Sequence, residues 1–286
     1  MMRFSTPLRY PGGKGKLTNY LVKLIDINGL DGCEYVEPYA GGAGVAINLL
    51  LSNKASNIHL NDLNNAIYCF WKSVLDDTEH LCYLIENTSV NMDEWYKNKE
   101  IINNQDQHSS IEIGFATFFL NRTNRSGILL GGVIGGKEQL GKWKLDARFN
   151  KGDLISRINK ISERKKNIHL YNQDAKEFLS STVSTFPKNT LIYLDPPYYV
   201  KGKGLYQNHY RHDDHVDIAK KIITNNEQYW IVSYDNTPEI NQMYYGLRKV
   251  EYGINYSAQS RYQGAEVIFF CKRMNIPEVS DPTKVK

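Results

Sequence analysis

Residues 191–199 read Leu-Ile-Tyr-Leu-Asp-Pro-Pro-Tyr-Tyr, an apolar run that stops at an acid, two prolines and two tyrosines. Leu191, Ile192, Tyr193 and Leu194 suit a fully buried strand, being short, apolar and free of glycine or charge. Proline has no amide hydrogen to give a ladder and restricts the residue before it, so the chain must leave the sheet at Asp195. A carboxylate, a stiff turn and an aromatic face are thereby gathered at one strand's carboxyl end. In open α/β sheets that edge is where ligands bind. On its own the stretch also fits a strand stopped by prolines, with tyrosines covering the exit.

Working outward, the same alternation of short apolar runs and helix-length segments recurs at both ends of the chain. Residues 34–37, 58–62, 168–171, 229–233 and 267–271 read as further strands, and the glycine-rich turn 38–44 leads into an apolar helix ending at Leu51. This pattern predicts an α/β fold with a parallel-rich sheet. Between the second and third strands lies a stretch far longer than an α/β loop. Its periodicity predicts helices at 67–75, 81–86, 92–102 and 113–120, followed by a loop dense in glycine and arginine. We therefore expect a core of residues 1–65 and 151–286 and a mostly helical insertion at 66–150.

The chain of 286 residues carries a net charge of +4, but residues 137–166 hold ten Lys/Arg against four Asp/Glu. A basic block on a near-neutral body suits a polyanion-binding face. It equally suits a solvated helix face, because Leu154, Ile155, Ile158 and Ile161 recur there at helical spacing. The longest apolar runs fall short of a membrane span, and the N-terminal residues lack the apolar centre of a secretory signal. Cys33, Cys69, Cys82 and Cys271 share no metal-like spacing and suit reduced, packed thiols of a cytoplasmic protein.

Glu37-Pro-Tyr-Ala-Gly-Gly-Ala-Gly44 follows the first strand, and Gly41, Gly42 and Gly44 allow a tight turn and close approach of a ligand. It does not satisfy the dinucleotide pattern GxGxxG. Asp62 ends the second strand at a distance that suits a carboxylate holding ribose hydroxyls, or else a helix cap. Pro11-Gly-Gly-Lys14 fails as a phosphate loop, since no strand precedes it and Leu17 follows Lys16. His209-Tyr-Arg-His-Asp-Asp-His-Val-Asp217 reads as a helix entry with capping acids rather than a metal site. No metal is expected.

Taken together, LRYPGGK (8–14), EPYAGGAG (37–44), HLNDLN (59–64), NQDAKEFL (172–179) and LDPPYY (194–199) occur in an order that resembles the Dam-like, D12-class DNA adenine-N6 methyltransferases. FLNRTNRSG (119–127) is similar to that family's insertion motif. The resemblance runs through residues 7–271. It implies a class I S-adenosylmethionine-dependent methyltransferase core, Rossmann-like, with a DNA-recognition insertion, double-stranded DNA as substrate and S-adenosylmethionine as methyl donor.

What it implies for residues is specific. The adenine amine is a poor nucleophile, its lone pair being delocalised into the ring. The Asp195 side chain and the Pro196 carbonyl would accept its two protons, and the Pro196-Pro197 turn would fix that carbonyl. Tyr198 would stack on a base taken out of the duplex, for which its ring alone should suffice. Tyr10 and Lys14 would belong to the cofactor site, Glu37, Gly41, Gly42 and Gly44 to its methionine part, Asp62 to its ribose and Asp174 to its adenine, with Asp195 bordering both sites. Arg122, Asn124 and Arg125 would meet phosphates or guanine, and Lys142 and Lys144 the backbone. After Arg125 the chain departs from family members that read GATC, continuing Ser126-Gly-Ile-Leu-Leu-Gly-Gly, so the target sequence stays open. A cognate restriction endonuclease acting on the same site is compatible with the resemblance. Open alternatives are an amino methylase of cytosine N4 or RNA, and a catalytically silent DNA-binding relative. A nicotinamide oxidoreductase is disfavoured by the missing GxGxxG.

Overall fold

The structure is a computed structural model and describes residues 5–9, 13–200, 210–225, 227–256 and 262–285. The expected cofactor residue Tyr10 lies outside them. The chain divides into two compact units, one built on Lys14–Leu63 and Asn167–Lys286, the other on Ser5–Gly13 and Asn64–Lys166.

The first unit holds a seven-stranded sheet. In chain order the strands are β1 (Cys33–Glu37), β2 (Ala55–Asn61), β3 (Ile168–Tyr171), β4 (Leu191–Leu194), β5 (Tyr229–Asp235), β6 (Lys249–Tyr256) and β7 (Tyr262–Phe270). Their spatial order is β3-β2-β1-β4-β5-β7-β6. Strands β1 to β5 pair in parallel and β7 runs antiparallel to both β5 and β6. This is the sheet of the class I methyltransferase fold. Every residue of β4 is buried, as its unbroken apolar run requires of a central parallel strand. β6 was not expected from sequence: its residues Lys249-Val-Glu-Tyr-Gly carry charges and a glycine, a composition tolerated only because β6 pairs on one side.

The order reverses between β1 and β4, because the chain runs outward through β2 and β3 before returning beside β1. Crevices at the carboxyl ends of strands open at such a reversal. Asn61, fully buried at the end of β2, ties three strand ends together there. Its Nδ2 donates to the carbonyls of Pro38 and Gln173, each at 3.0 Å, and its Oδ1 accepts the Gln173 amide at 3.0 Å. Near the C-terminus, the Val285 carbonyl is anchored by Asn19, whose Nδ2 donates to it at 2.9 Å. Among the described residues no helix is long and apolar enough to cross a membrane.

The second unit is helical, with helices Asn65–Asp76, Thr78–Asn87, Met92–Asn103, Ser110–Thr123 and Lys151–Ser162. Helix Ser110–Thr123 is buried at every residue from Ile113 to Thr123, the signature of a central helix surrounded by others. Its Asn121 side chain takes both backbone groups of Arg9, accepting from the amide and donating to the carbonyl at 2.7 Å each. This grips Arg9 into the helical unit. Helix Lys151–Ser162 also belongs here rather than with the core: Leu154, Ile158 and Ile161 are buried, and Lys151 Nζ donates to the Glu86 and Thr88 carbonyls at 2.6 and 2.9 Å. The compact unit is therefore larger at both ends than the expected 66–150.

Replacing Asn61 by Ala should strip partners from the buried Pro38 carbonyl and from the half-buried carbonyl and amide of Gln173, at a cost of about 2–4 kcal/mol in chemical denaturation. A loss too small to resolve would mean that the strand ends hold their spacing without the clip.

Candidate active site

Asp195 follows β4 directly, and its side chain keeps 27% of its exposure, enough for its outer edge to meet a ligand. Its inner edge is fully engaged. Lys14 Nζ stands 2.9 Å from Oδ1 and 3.2 Å from Oδ2, and Ser233 Oγ, on β5, donates to Oδ1 at 2.7 Å. Because Ser233 gives its proton to Asp195, its oxygen accepts the Tyr193 hydroxyl, 3.0 Å away. Burial raises the proton affinity of Asp195, the Lys14 ammonium opposes it, and the net direction is upward. Burial likewise works against the charge on Lys14, but the attraction of Asp195 and Glu266 outweighs it and holds Lys14 well above the ordinary lysine range.

The turn after Asp195 is pinned from β5. The carboxylate of Asp235 accepts the Tyr199 amide at 2.9 Å and the Val200 amide at 3.1 Å, one oxygen each. Pro196 is buried and Pro197 partly so. Tyr198 is only 4% exposed, and its hydroxyl donates to Glu266 Oε1 at 2.8 Å. The expectation that only the ring of Tyr198 matters is thus incomplete, since its hydroxyl is committed.

Glu37, at the end of β1, is buried and its Oε1 accepts the Tyr35 hydroxyl and the Ala46 amide, both at 3.1 Å. Beyond it, Gly41 takes the left-handed conformation (φ 46°) that a side chain would oppose, and its amide donates to Asp62 Oδ2 at 2.8 Å. Gly42 is buried, and Gly44 opens helix Gly44–Leu51. Asp62 is not the cap of the helix that follows; Asn64 is, accepting the Ala66 amide. Asp174, by contrast, caps the short helix Ala175–Glu177, its Oδ1 accepting from Lys176 at 2.9 Å and Glu177 at 3.4 Å. Burial, with the charges of Asp174, Asp214 and Asp62, pushes the Tyr210 hydroxyl up to about 12 and marks that ring as a neighbour of these acids. Within His209–Asp217, His215 is buried against the Tyr234 hydroxyl at 3.0 Å, and Asp214 accepts the Arg211 amide at 2.9 Å.

In the helical unit the expected DNA contacts separate into two groups. Arg122 is buried, 8% exposed, and donates to the Pro7 carbonyl; burial and the charges of Arg157 and Arg9 push it down to about 9. Asn124 is fully buried, taking the Trp95 indole N–H at 2.7 Å and donating to the Ile128 and Leu129 carbonyls at 2.9 Å each. Both are buried and latch the loop through these hydrogen bonds. Gly127 completes the latch: at φ 77° a Cβ would lie 2.2 Å from the Arg9 carbonyl oxygen. Arg125, Lys142 and Lys144 are exposed, as are Arg148, Leu140 and Trp143, with Lys142 Nζ 5.8 Å from the Trp143 ring centre. In the rest of the basic block, Arg157 is engaged by Asp153 at 2.8 Å and the Thr6 carbonyl at 3.1 Å.

Residues 10–258 match the family model of the D12 class N6 adenine-specific DNA methyltransferases. The chain belongs to that family. Two solved structures are similar to it at low identity, one being "Putative methyltransferase yhhF" from Escherichia coli (10% identity, covering 90% of this chain and 86% of that one, TM-score 0.34). The other is the rRNA methyltransferase aviRa from Streptomyces viridochromogenes (9%, 88% and 83%, TM-score 0.35). No curated protein matches the sequence.

This D12-class methyltransferase, an enzyme that methylates adenine in DNA, also places around Asp195 and its turn residues that sequence reading passed over. Ser233 and Asp235 lie at the end of β5 and Glu266 midway along β7, and they reach Asp195, its turn and Tyr198 respectively. Their only signal in sequence was a polar residue where β5 or β7 should be wholly apolar. Among the described residues no group of three His, Cys, Asp or Glu is placed to hold a metal ion.

Glu37 yields a measurable consequence. Burial is the main cause that pushes it up to about 8, with Asp195 adding to it and the two hydrogen bonds opposing. Folding therefore raises its proton affinity, so its stabilising contribution is complete below 4.5 and is lost as pH rises through about 8. Glu37→Gln, neutral throughout, should flatten the fall in melting temperature across that window. A slope identical to wild type would mean that Glu37 is already ionised in the folded chain.

Proposed function

We propose that this methyltransferase takes its methyl group from S-adenosylmethionine and holds a flipped adenine between Asp195, the Pro196 carbonyl and Tyr198. The observation that carries the reading is the Asp195 carboxylate: its inner edge is saturated by Lys14 and Ser233 while its outer edge remains accessible. A carboxylate held this way cannot swing, so it stands as a preorganised acceptor for an amine proton. As the amine nitrogen pyramidalises, its lone pair leaves the ring and becomes nucleophilic. The Pro196-Pro197 turn, tied down by Asp235, would keep the second acceptor in place.

The residues around the β1 and β2 ends suit the donor. S-adenosylmethionine supplies an electrophilic methyl on a sulfonium centre. A buried acid such as Glu37, whose Oε2 makes no hydrogen bond among the described residues, complements a cationic group. Asp62, fixed by the Gly41 amide, suits paired hydroxyls. Asp174 uses Oδ1 as a cap, which leaves Oδ2 for the donor's adenine.

The helical unit would be the target-recognition part, its exposed Arg125, Lys142, Lys144 and Arg148 meeting phosphates. Methylation of the recognised site would protect it from a nuclease that cuts the same unmethylated sequence, if the two are paired in a restriction system.

Long-read sequencing of DNA from cells expressing the chain should report N6-methyladenine in one sequence context. Asp195→Ala, folded by circular dichroism, should lower the transfer rate by roughly 10²–10³-fold. Turnover near wild type would remove Asp195 from the mechanism. On the DNA side, each of Arg125, Lys142 and Lys144 neutralised should lower the log–log salt slope of binding by about one. Arg122→Ala should instead cost about 2–3 kcal/mol of stability with the salt slope intact. An unaltered slope for the triple variant would leave that loop as solvated surface.

A further inference from the structure

Behind Tyr198 lies a carboxylate with no assigned task. Glu266 sits on β7, fully buried, opposite Asp235 of β5 and Tyr252 of β6. Its Oε1 accepts the Tyr198 hydroxyl at 2.8 Å, and its Oε2 accepts the Tyr252 hydroxyl at 2.6 Å. Lys14 Nζ is 3.6 Å from Oε1, and the same ammonium is 2.9 Å from Asp195 Oδ1 and 5.1 Å from the centre of the Tyr198 ring. A charge buried this completely is costly even when paired, and an apolar side chain would fill the space between strands more cheaply. Packing alone does not account for an acid here.

Two consequences follow from the geometry. A tyrosine held at Cβ by the backbone and at its hydroxyl by Glu266 has its ring plane fixed at both ends, and a fixed plane is what base stacking needs. The second consequence is electrostatic. A lone Lys14 against Asp195 would draw charge away from the carboxylate and weaken it as an acceptor. With Glu266 on the other side, one ammonium serves two carboxylates, and Asp195 keeps more of its negative charge for the incoming amine.

We propose that Glu266 is a positioning residue for methyl transfer, fixing the Tyr198 ring through its hydroxyl and sharing the Lys14 ammonium so that Asp195 remains a strong acceptor. This rests on the reading of Asp195 as the acceptor of the amine proton. The groups that face Asp195 are Lys14 from the N-terminal segment, Glu37 at the end of β1, Tyr193 on β4, Tyr198 after it, Ser233 on β5 and Glu266 on β7. Tyr252 on β6 reaches it through Glu266. Of these, Glu266 is the acid whose negative charge favours protonation of Asp195.

The test is single-turnover transfer of labelled methyl from S-adenosylmethionine into unmethylated genomic DNA, measured against pH for the full wild-type chain, Glu266→Gln and Tyr252→Phe. Glu266→Gln should lower the plateau rate roughly ten- to a hundredfold, by analogy with the loss of a partner that orients a metal's ligands. It should also move the acid limb to lower pH, because Asp195 loses a neighbouring negative charge and protonates less readily. Tyr252→Phe removes a hydrogen bond but no charge, so it should lower the plateau less and leave the limb in place. A Glu266→Gln plateau equal to wild type, or a lower plateau with an unmoved limb, would overturn the proposal. If Glu266→Gln melts too low to assay, Tyr252→Phe decides: a several-fold slower plateau supports the role, and a wild-type rate overturns it. A wild-type chain that transfers no methyl to DNA would instead overturn the function on which the inference rests.

Discussion

The Lys14 ammonium, 7% exposed, is the constraint around which the carboxyl end of the sheet is arranged. An isolated buried cation would shed its proton or unfold the site, and only close opposite charge keeps it ionised. Asp195, just past β4, and Glu266, on β7, supply that charge at 2.9 and 3.6 Å. Lys14 in turn is what allows two carboxylates to sit in the same poorly solvated corner. Each of the three groups makes the other two tolerable, so loss of any one leaves buried charge without compensation.

That corner exists because of strand order. A sheet that reverses between β1 and β4 brings the carboxyl ends of strands distant in sequence to one rim, with Glu37 ending β1, Asp62 just past β2, and Asp195 just past β4. Polar clips then set the spacing at that rim. Asn61 ties the loops after β1 and β3, and Asp235 holds the turn after β4. Both clips use fully engaged side chains, which is how buried polar groups add rigidity without an unsatisfied atom.

Most of the sheet was legible because parallel central strands announce themselves as short apolar runs ended by turn residues, and Asp195-Pro196-Pro197 is an unusually sharp ending. What escaped had a physical reason in each case. β6 is an edge strand with exposed Lys249 and Glu251, so it lacks the apolar run that marks the others. Ser233, Asp235 and Glu266 act across strands, and register between distant segments is not written in either segment alone. Arg122 and Asn124 misled for the opposite reason. Arginine and asparagine in a loop motif suggest a polar surface, but the helix that carries Arg122 is buried all round, and the loop turns back onto its end. Arg125, a single residue beyond Asn124, escapes that burial and is exposed.

The acids of the rim also carry a consequence for what the site prefers to hold. With Glu37 pushed up to about 8, that carboxyl is largely protonated at neutral pH as long as nothing positive stands beside it. A cationic ligand arriving there would stabilise the ionised form and release the proton, so binding of positive charge and loss of a proton are linked. A neutral ligand of the same shape would meet a neutral acid and gain no such attraction. The burial of Glu37 would thus give the rim a preference for a cationic ligand over a neutral one of the same shape, through desolvation rather than through a direct contact. Stability is what this arrangement costs, because a pocket tuned to receive positive charge is at its least stable where that charge is absent and the pH is high enough to ionise the acid.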